Sequence, residues 1–161
     1  MKVTFNGAPL TLEGNQVKVG DIAPDFTVVG NDLNPVKFSD IEGKKILVAV
    51  PSIDTPVCDM EVRKFNQEAS KLNNVKVYTI SMDLPFAQSR WCGNSGIENV
   101  VTVSDYKDRE FSKAYGLYIK ELGLVSRAVI VVDENNKIVY TEYLDEITNE
   151  PNYEKALEFV K

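Results

Sequence analysis

The sequence predicts an α/β fold, a three-layer sandwich around a mixed β-sheet, from three observations. Residues 46–50 and 128–132 are near-continuous apolar runs, as strands covered on both faces are. From residue 46 onward strand-like and helix-like segments alternate, which is how helices come to lie on a sheet. The final pair of strand-like segments is joined by a short turn at 133–136, adding an antiparallel hairpin to that sheet. At 161 residues, 43% hydrophobic and 26% charged, the chain fits a single globular domain over 1–161 rather than a disordered segment. It carries no repeat, low-complexity stretch or interdomain linker.

Element by element, Val3-Thr4-Phe5 and Leu10-Thr11-Leu12 flank Asn6-Gly7-Ala8-Pro9, a hairpin signal that extends the sandwich at its N-terminus. An irregular approach through 19–26 leads to a short strand at 26–29, a turn at 31–35 and a strand at 36–41 stopped by Glu42-Gly43. Residues 46–50 form the central strand. After Pro51 to Pro56, a helix is expected over 56–72, because Cys58, Val62, Phe65, Ala69 and Leu72 recur at steps of four and three. Glu61, Arg63, Lys64, Gln67, Glu68 and Lys71 are placed outside that apolar stripe. A strand at 75–82, a short helix at 85–92 and the breaker Gly93-Asn94-Ser95-Gly96 follow. Residues 100–103 read as a strand and 108–115 as a helix stopped by Gly116. The apolar strand 128–132, its hairpin partner 137–143 and a helix at 152–160 complete the chain.

Composition removes several function classes. A net charge of −6 disfavours binding to a phosphate backbone or an anionic membrane surface, so neither nucleic acid nor membrane is expected as a partner. No apolar run approaches the roughly 20 residues that span a bilayer. Histidine is absent, which excludes a Ser-His-Asp triad, a Cys-His dyad and any metal site built on imidazole. Two cysteines are too few for a Cys₄ centre. The first residues lack the apolar stretch of a secretory signal, so the expected location is the cytoplasm. There, cysteines are buried, metal-bound or redox-active rather than structural disulfides, and Cys58 and Cys92 need an explanation.

Cys58 lies in Pro51-Ser52-Ile53-Asp54-Thr55-Pro56-Val57-Cys58, between a buried strand and an amphipathic helix. Thr55 suits the N-cap and Pro56 the first helical position, making Cys58 the third helical residue. First-turn N–H groups lack intrahelical partners and the helix dipole is positive there, so both favour thiolate over thiol. The stripe spacing aims the sulfur into the core. A cysteine so placed is either an inert buried side chain or an activated nucleophile, and these residues alone leave both open. An activated thiolate without histidine suits a substrate that carries its own good leaving group, such as a peroxide. Hydrogen-bond donors would then stabilise charge on the departing oxygen, and the sulfur would become a sulfenic acid. Arg63, Arg90, Arg109 and Arg127 compete for the role of charged donor, and Arg63 lies off the stripe. Asp59 reads as helix first-turn stabilisation. Tyr115 and Tyr118 are candidates for the core, an apolar groove or a dimer contact.

Pro51-x-x-x-Thr55-x-x-Cys58 resembles the active-site pattern of the peroxiredoxins, and Ser52 to Cys58 is similar to their thiol peroxidase branch, the atypical two-cysteine members. Further matches are Gly20 to Phe26, Asp83-Leu84-Pro85-Phe86-Ala87-Gln88-Ser89-Arg90-Trp91-Cys92, Ser126-Arg127-Ala128-Val129, and Asp145 to Pro151. The resemblance implies a thioredoxin-like fold, a peroxidatic Cys58 and a resolving Cys92 that form an intramolecular disulfide. It implies Thr55 and Arg127 as peroxide-orienting donors and Pro51 as the shield of the pocket. It also implies reduction of hydrogen peroxide and alkyl hydroperoxides, recycling by thioredoxin, a homodimer, and no metal, haem or flavin cofactor. Two departures stand out: Trp91 replaces the usual phenylalanine, and residues 116–125 follow a shorter form of the family loop.

Because a disulfide needs Cα atoms within roughly 7 Å, turnover is expected to unfold the Cys58 first turn and the Cys92 helix end, with Trp91 reporting the motion. Arg127→Ala is expected to slow peroxide turnover while leaving the fold intact. A peroxide-sensing relay using the same two cysteines is the alternative function; slow reduction by thioredoxin would distinguish it. A general thiol–disulfide exchanger is disfavoured by the long spacing between the cysteines, which is not C-x-x-C.

Overall fold

The computed structural model describes residues 2–72, 75–95 and 100–160. The N-terminal hairpin pairs β1 (Lys2–Phe5) with β2 (Ala8–Glu13). Its turn holds Asn6 at φ 51° and Gly7 at φ 84°, the left-handed pair of a type I′ turn, which matches the twist of the flanking strands. Then come β3 (Thr27–Val29), β4 (Pro35–Lys37), β5 (Lys44–Ala49), α1 (Pro56–Ala69), β6 (Val75–Ser81), α2 (Pro85–Ser95) and β7 (Val100–Ser104). The remainder is α3 (Glu110–Ala114), β8 (Tyr118–Ile119), β9 (Leu124–Val125), β10 (Ala128–Val132), β11 (Ile138–Tyr143) and α4 (Tyr153–Glu158).

Among the described residues the main sheet has seven strands, ordered β11-β10-β5-β6-β7-β3-β4. β5, β6 and β7 are parallel, so each connection must cross over the sheet, and α1 and α2 are those crossovers. The outer strands are antiparallel to their neighbours on both sides of this core, giving the mixed sheet. Strand alternation sorts the apolar runs onto two faces. Ile46 and Val48 of β5 and Val129 and Val131 of β10 pack with Val62 and Phe65 of α1 and Ala156 and Leu157 of α4. Leu47, Ala49, Ala128 and Ile130 point the other way, against Phe26, Phe111 and Tyr115. This is the thioredoxin-like three-layer arrangement, with a second sheet, β1-β2-β8-β9, attached.

Several boundaries differ from expectation. The strand expected at 36–41 ends at Lys37, and Phe38–Asp40 form a 3₁₀ turn. Phe38 stacks on Phe26 at 5.0 Å between centroids, while the Asp25 carboxylate accepts from the Ser39 N–H; together they bend the chain inward. α1 ends at Ala69 instead of Leu72. α2 continues through Gly93 to Ser95, because one glycine costs a helix only about 1 kcal/mol against alanine; Gly96 of the expected breaker lies outside the described residues. α3 begins two residues late because the Asp105 carboxylate accepts from the Phe111 and Ser112 N–H groups and does the capping. Residues 116–125, expected as a loop, contain the β8–β9 pair, and β8 pairs with β2 to tie the N-terminal hairpin to the rest of the chain. Tyr115 is fully buried and donates to the Pro24 carbonyl at 2.7 Å, so it belongs to the core and lines no groove.

Candidate active site

β5 delivers the chain to Pro51, which is buried, and α1 starts five residues later. Thr55 is the N-cap, in extended conformation, and its Oγ1 accepts from the Cys58 N–H at 3.3 Å. The same hydroxyl donates to the Ser52 carbonyl at 3.1 Å. Thr55 therefore both caps the helix and braces the preceding loop; its proton is directed at backbone here and must rotate to meet a substrate. Asp83, just past β6, holds that loop from below. Its carboxylate accepts from Ser52 Oγ at 2.7 Å, from the Ile53 N–H at 2.9 Å and from Ser81 Oγ at 2.7 Å. Cys58, the third residue of α1, is fully buried.

Arg127 enters immediately before β10, 2% exposed, and divides its guanidinium among three acceptors. Nη2 donates to Cys58 Sγ at 2.9 Å, Nη1 to Glu61 Oε2 at 3.0 Å, and Nε to the Ile147 carbonyl at 2.7 Å. A planar fork suits such fixed, divergent contacts better than a flexible ammonium would. Two of the competing arginines are engaged elsewhere: Arg63 bonds Asp59, and Arg109 adopts a left-handed conformation ahead of α3.

The carbonyl that orients Arg127 is itself anchored. The Ile147 N–H donates to the Thr4 carbonyl, and the neighbouring Glu146 carboxylate accepts from Thr4 Oγ1 and the Asn6 and Gly7 N–H groups. Hydrogen bonds from Thr148, then Gly7 and Thr4, hold the Glu146 carboxyl down to about 2. The segment Asp145 to Pro151, conspicuous in the sequence, thus joins the N-terminal hairpin to the arginine beside Cys58.

Glu61 corrects the expectation for α1: instead of facing solvent it is wholly buried, with Oε2 accepting from Arg127 Nη1. It stands three residues beyond Cys58 and four before Phe65, so helical spacing puts it on the stripe; only its charge argues it off. Burial pushes its carboxyl up to about 8, outweighing the opposite pull of Arg127. A largely neutral Glu61 leaves the guanidinium charge directed at sulfur.

Cys92 is half-buried and both cysteines are free thiols. Its Sγ lies 3.3 Å from Thr102 Oγ1, which in turn bonds Asn31 Oδ1 at 3.2 Å. Thr102 is on β7 and Arg127 leads into β10, and β5 and β6 lie between those strands. The two sulfurs thus rest on different partners, Cys58 on Arg127 and Cys92 on Thr102, and are not bonded to each other. The two helices are also joined directly, Trp91 Nε1 of α2 donating to Asp59 Oδ1 of α1 at 2.9 Å, while within α1 Arg63 Nε donates to Asp59 Oδ2 at 3.0 Å. Asp59 therefore does more than stabilise its own first turn.

A buried thiol at the start of a crossover helix, with an arginine from the start of a neighbouring strand at its sulfur on a thioredoxin-like sheet, defines a thiol-dependent oxidoreductase. The Redoxin family model matches residues 18–157. The chain is 57% identical to the thiol peroxidase of Bacillus subtilis (strain 168) over 161 residues, covering 99% of this chain and 96% of that protein. It is 56% identical to the thiol peroxidase of Clostridium acetobutylicum over 158 residues, 98% of this chain and 96% of the other. The crystal structure of a peroxiredoxin-like protein from Aquifex aeolicus superposes with a TM-score of 0.91 at 38% identity, over 99% of this chain and 95% of that one. The chain belongs to the Redoxin family, in the thiol peroxidase branch of the peroxiredoxins, and is an oxidoreductase. No described helix is long and apolar enough to cross a membrane.

Proposed function

We propose that this thiol peroxidase reduces hydrogen peroxide and alkyl hydroperoxides through Cys58, with Cys92 as the resolving thiol, in one domain spanning 1–161. The observation that carries the reading is the Arg127 guanidinium 2.9 Å from a buried sulfur at a helix start. The Cys58 thiolate attacks one peroxide oxygen; the S–O bond forms as the O–O bond breaks, and the departing oxygen leaves as alcohol or water once protonated. Arg127, together with first-turn N–H groups and a rotated Thr55 hydroxyl, supplies donors to the oxygen on which charge develops. Pro51, buried at the mouth of the loop, screens the sulfur from water.

The Cys92 sulfur then attacks the sulfenic sulfur, forming S–S as S–O breaks, and hydroxide leaves as water with the thiol proton. Thioredoxin, a dithiol reductant, returns both thiols by exchange. Family resemblance supports that reductant, a homodimeric assembly and a cytoplasmic location. The chemistry asks for no metal or organic cofactor, because sulfur takes up and passes on both oxidising equivalents.

The test mixes reduced protein with one equivalent of hydrogen peroxide or cumene hydroperoxide and maps the products by mass spectrometry. The expected product is an intramolecular Cys58–Cys92 disulfide. Cys58→Ser is expected to lose no thiol rapidly, and Cys92→Ser to stop at the sulfenic acid. An intermolecular bridge, or sulfenic acid persisting in wild type beside intact Cys92, overturns the resolving assignment.

A further inference from the structure

Trp91 immediately precedes one thiol and Asp59 immediately follows the other. The 2.9 Å bond between them, Trp91 Nε1–H to Asp59 Oδ1, therefore joins the two segments that must separate and re-approach for the sulfurs to meet. Asp59 sits in the first turn of α1, its own N–H donating to the Thr55 carbonyl at 2.9 Å. Arg63 completes the arrangement from the same helix, bonding the second Asp59 oxygen and lying over the indole at 5.7 Å from its centroid. The indole also packs against the buried cluster on the α1 face of the sheet. On its other side Cys92 is held to Thr102.

We infer that Trp91 and Asp59 are positioning residues forming a latch between α1 and α2 that sets how fast the Cys58 sulfenic acid is resolved. This rests on Cys92 being the resolving thiol. While the latch is closed, Cys92 stays against Thr102 of β7 and the Cys58 turn stays helical, which keeps the sulfur beside Arg127 for its reaction with peroxide. Opening the latch frees both ends at once. A sulfenate that waits behind it has a competing fate: it attacks a second peroxide, gaining an oxygen to become sulfinate while that peroxide leaves as alcohol or water. The latch thus divides the sulfenic acid between disulfide and sulfinate.

Trp91→Phe keeps an aromatic ring under Arg63 and removes the N–H together with the pyrrole half of the indole. Asp59→Ala removes the acceptor and retains Trp91, the only tryptophan, as a fluorescence reporter. A hydrogen bond to a charged group is worth enough to change the rate of disulfide formation by about tenfold. Each variant is expected to form the Cys58–Cys92 disulfide about that much faster in single-turnover rapid-quench or stopped-flow experiments, with the initial rate of Cys58 oxidation unchanged. Sulfinate yield at a fixed excess of hydrogen peroxide should fall in step. The double variant should gain little over either single one, as two halves of one bond require.

Disulfide formation within twofold of wild type in both variants overturns the latch, as does slower formation with more sulfinate, which would make the contact a guide for Cys92. If wild type forms no Cys58–Cys92 disulfide, the resolving assignment fails and takes the latch with it. A normal disulfide with unmoved rates sinks the latch alone.

Discussion

Arg127→Ala is expected to lower the second-order rate of hydroperoxide reduction by at least about 10²–10³-fold, the scale lost when one donor to developing negative charge is removed. The loss should be seen in stopped-flow oxidation of Cys58 as well as in steady-state turnover, because Nη2 contacts the reacting sulfur itself. The same substitution is expected to damage the fold, contrary to what the sequence suggests. It leaves Glu61 Oε2 and the Ile147 carbonyl without their donor. At about 1–3 kcal/mol for each buried unpaired acceptor, unfolding free energy should drop by roughly 2–6 kcal/mol. Urea unfolding measures this directly. Arg127→Lys separates the two effects: it keeps a charge in the pocket but cannot serve three divergent acceptors, so activity should remain low while part of the stability returns. A stable Arg127→Ala protein with near wild-type peroxide kinetics would remove the arginine from the mechanism.

Arg127 cannot be picked from the residues alone, and the reason is physical. An arginine opening an apolar strand usually sits at an exposed edge, since a buried guanidinium must have acceptors on every side. Here those acceptors come from 66 residues upstream, at Glu61, and 20 downstream, at Ile147, and no local pattern links them. Cys58 is legible because its cues are local: a capping threonine, proline at the first helical position, and a stripe with helical spacing. Glu61 escapes for the converse reason. Polarity ordinarily marks the solvent face of a helix, and only a partner distant in sequence makes a buried carboxyl tolerable.

The same division runs through the fold. β5 and β10 carry their double-sided burial in composition, so their place at the centre is readable. β8 and β9 are two residues each; β8 depends on pairing with β2, a non-local partner, and β9 pairs only with β8. The Trp91–Asp59 bond is likewise a meeting of helices through residues 32 positions apart, invisible to any one-dimensional pattern. Catalytic geometry in this molecule is thus assembled from a locally encoded nucleophile and non-locally encoded support.

Glu61→Gln is expected to shift stability relative to wild type in a pH-dependent way. In the folded protein the Glu61 carboxyl keeps its proton up to about 8, because burial disfavours the charge; an ordinary glutamate gives it up near 4.5. The unfolded state therefore releases a proton that the folded state retains across this window. Stability drawn from the neutral carboxyl is complete below the lower value and is lost progressively as pH rises toward the upper one. Glutamine cannot ionise and still offers Arg127 a carbonyl oxygen. The variant should consequently gain on wild type by up to a few kcal/mol between pH 5 and pH 8, since each tenfold difference in proton affinity between the two states is worth about 1.4 kcal/mol. Other carboxylates titrate equally in both proteins and cancel in the difference. Urea midpoints of the two proteins at pH 5, 6.5 and 8 measure it: diverging curves are the expected result. Parallel curves would mean that Glu61 is already ionised at pH 5, and that the Arg127 charge is neutralised by the carboxylate before the sulfur can draw on it.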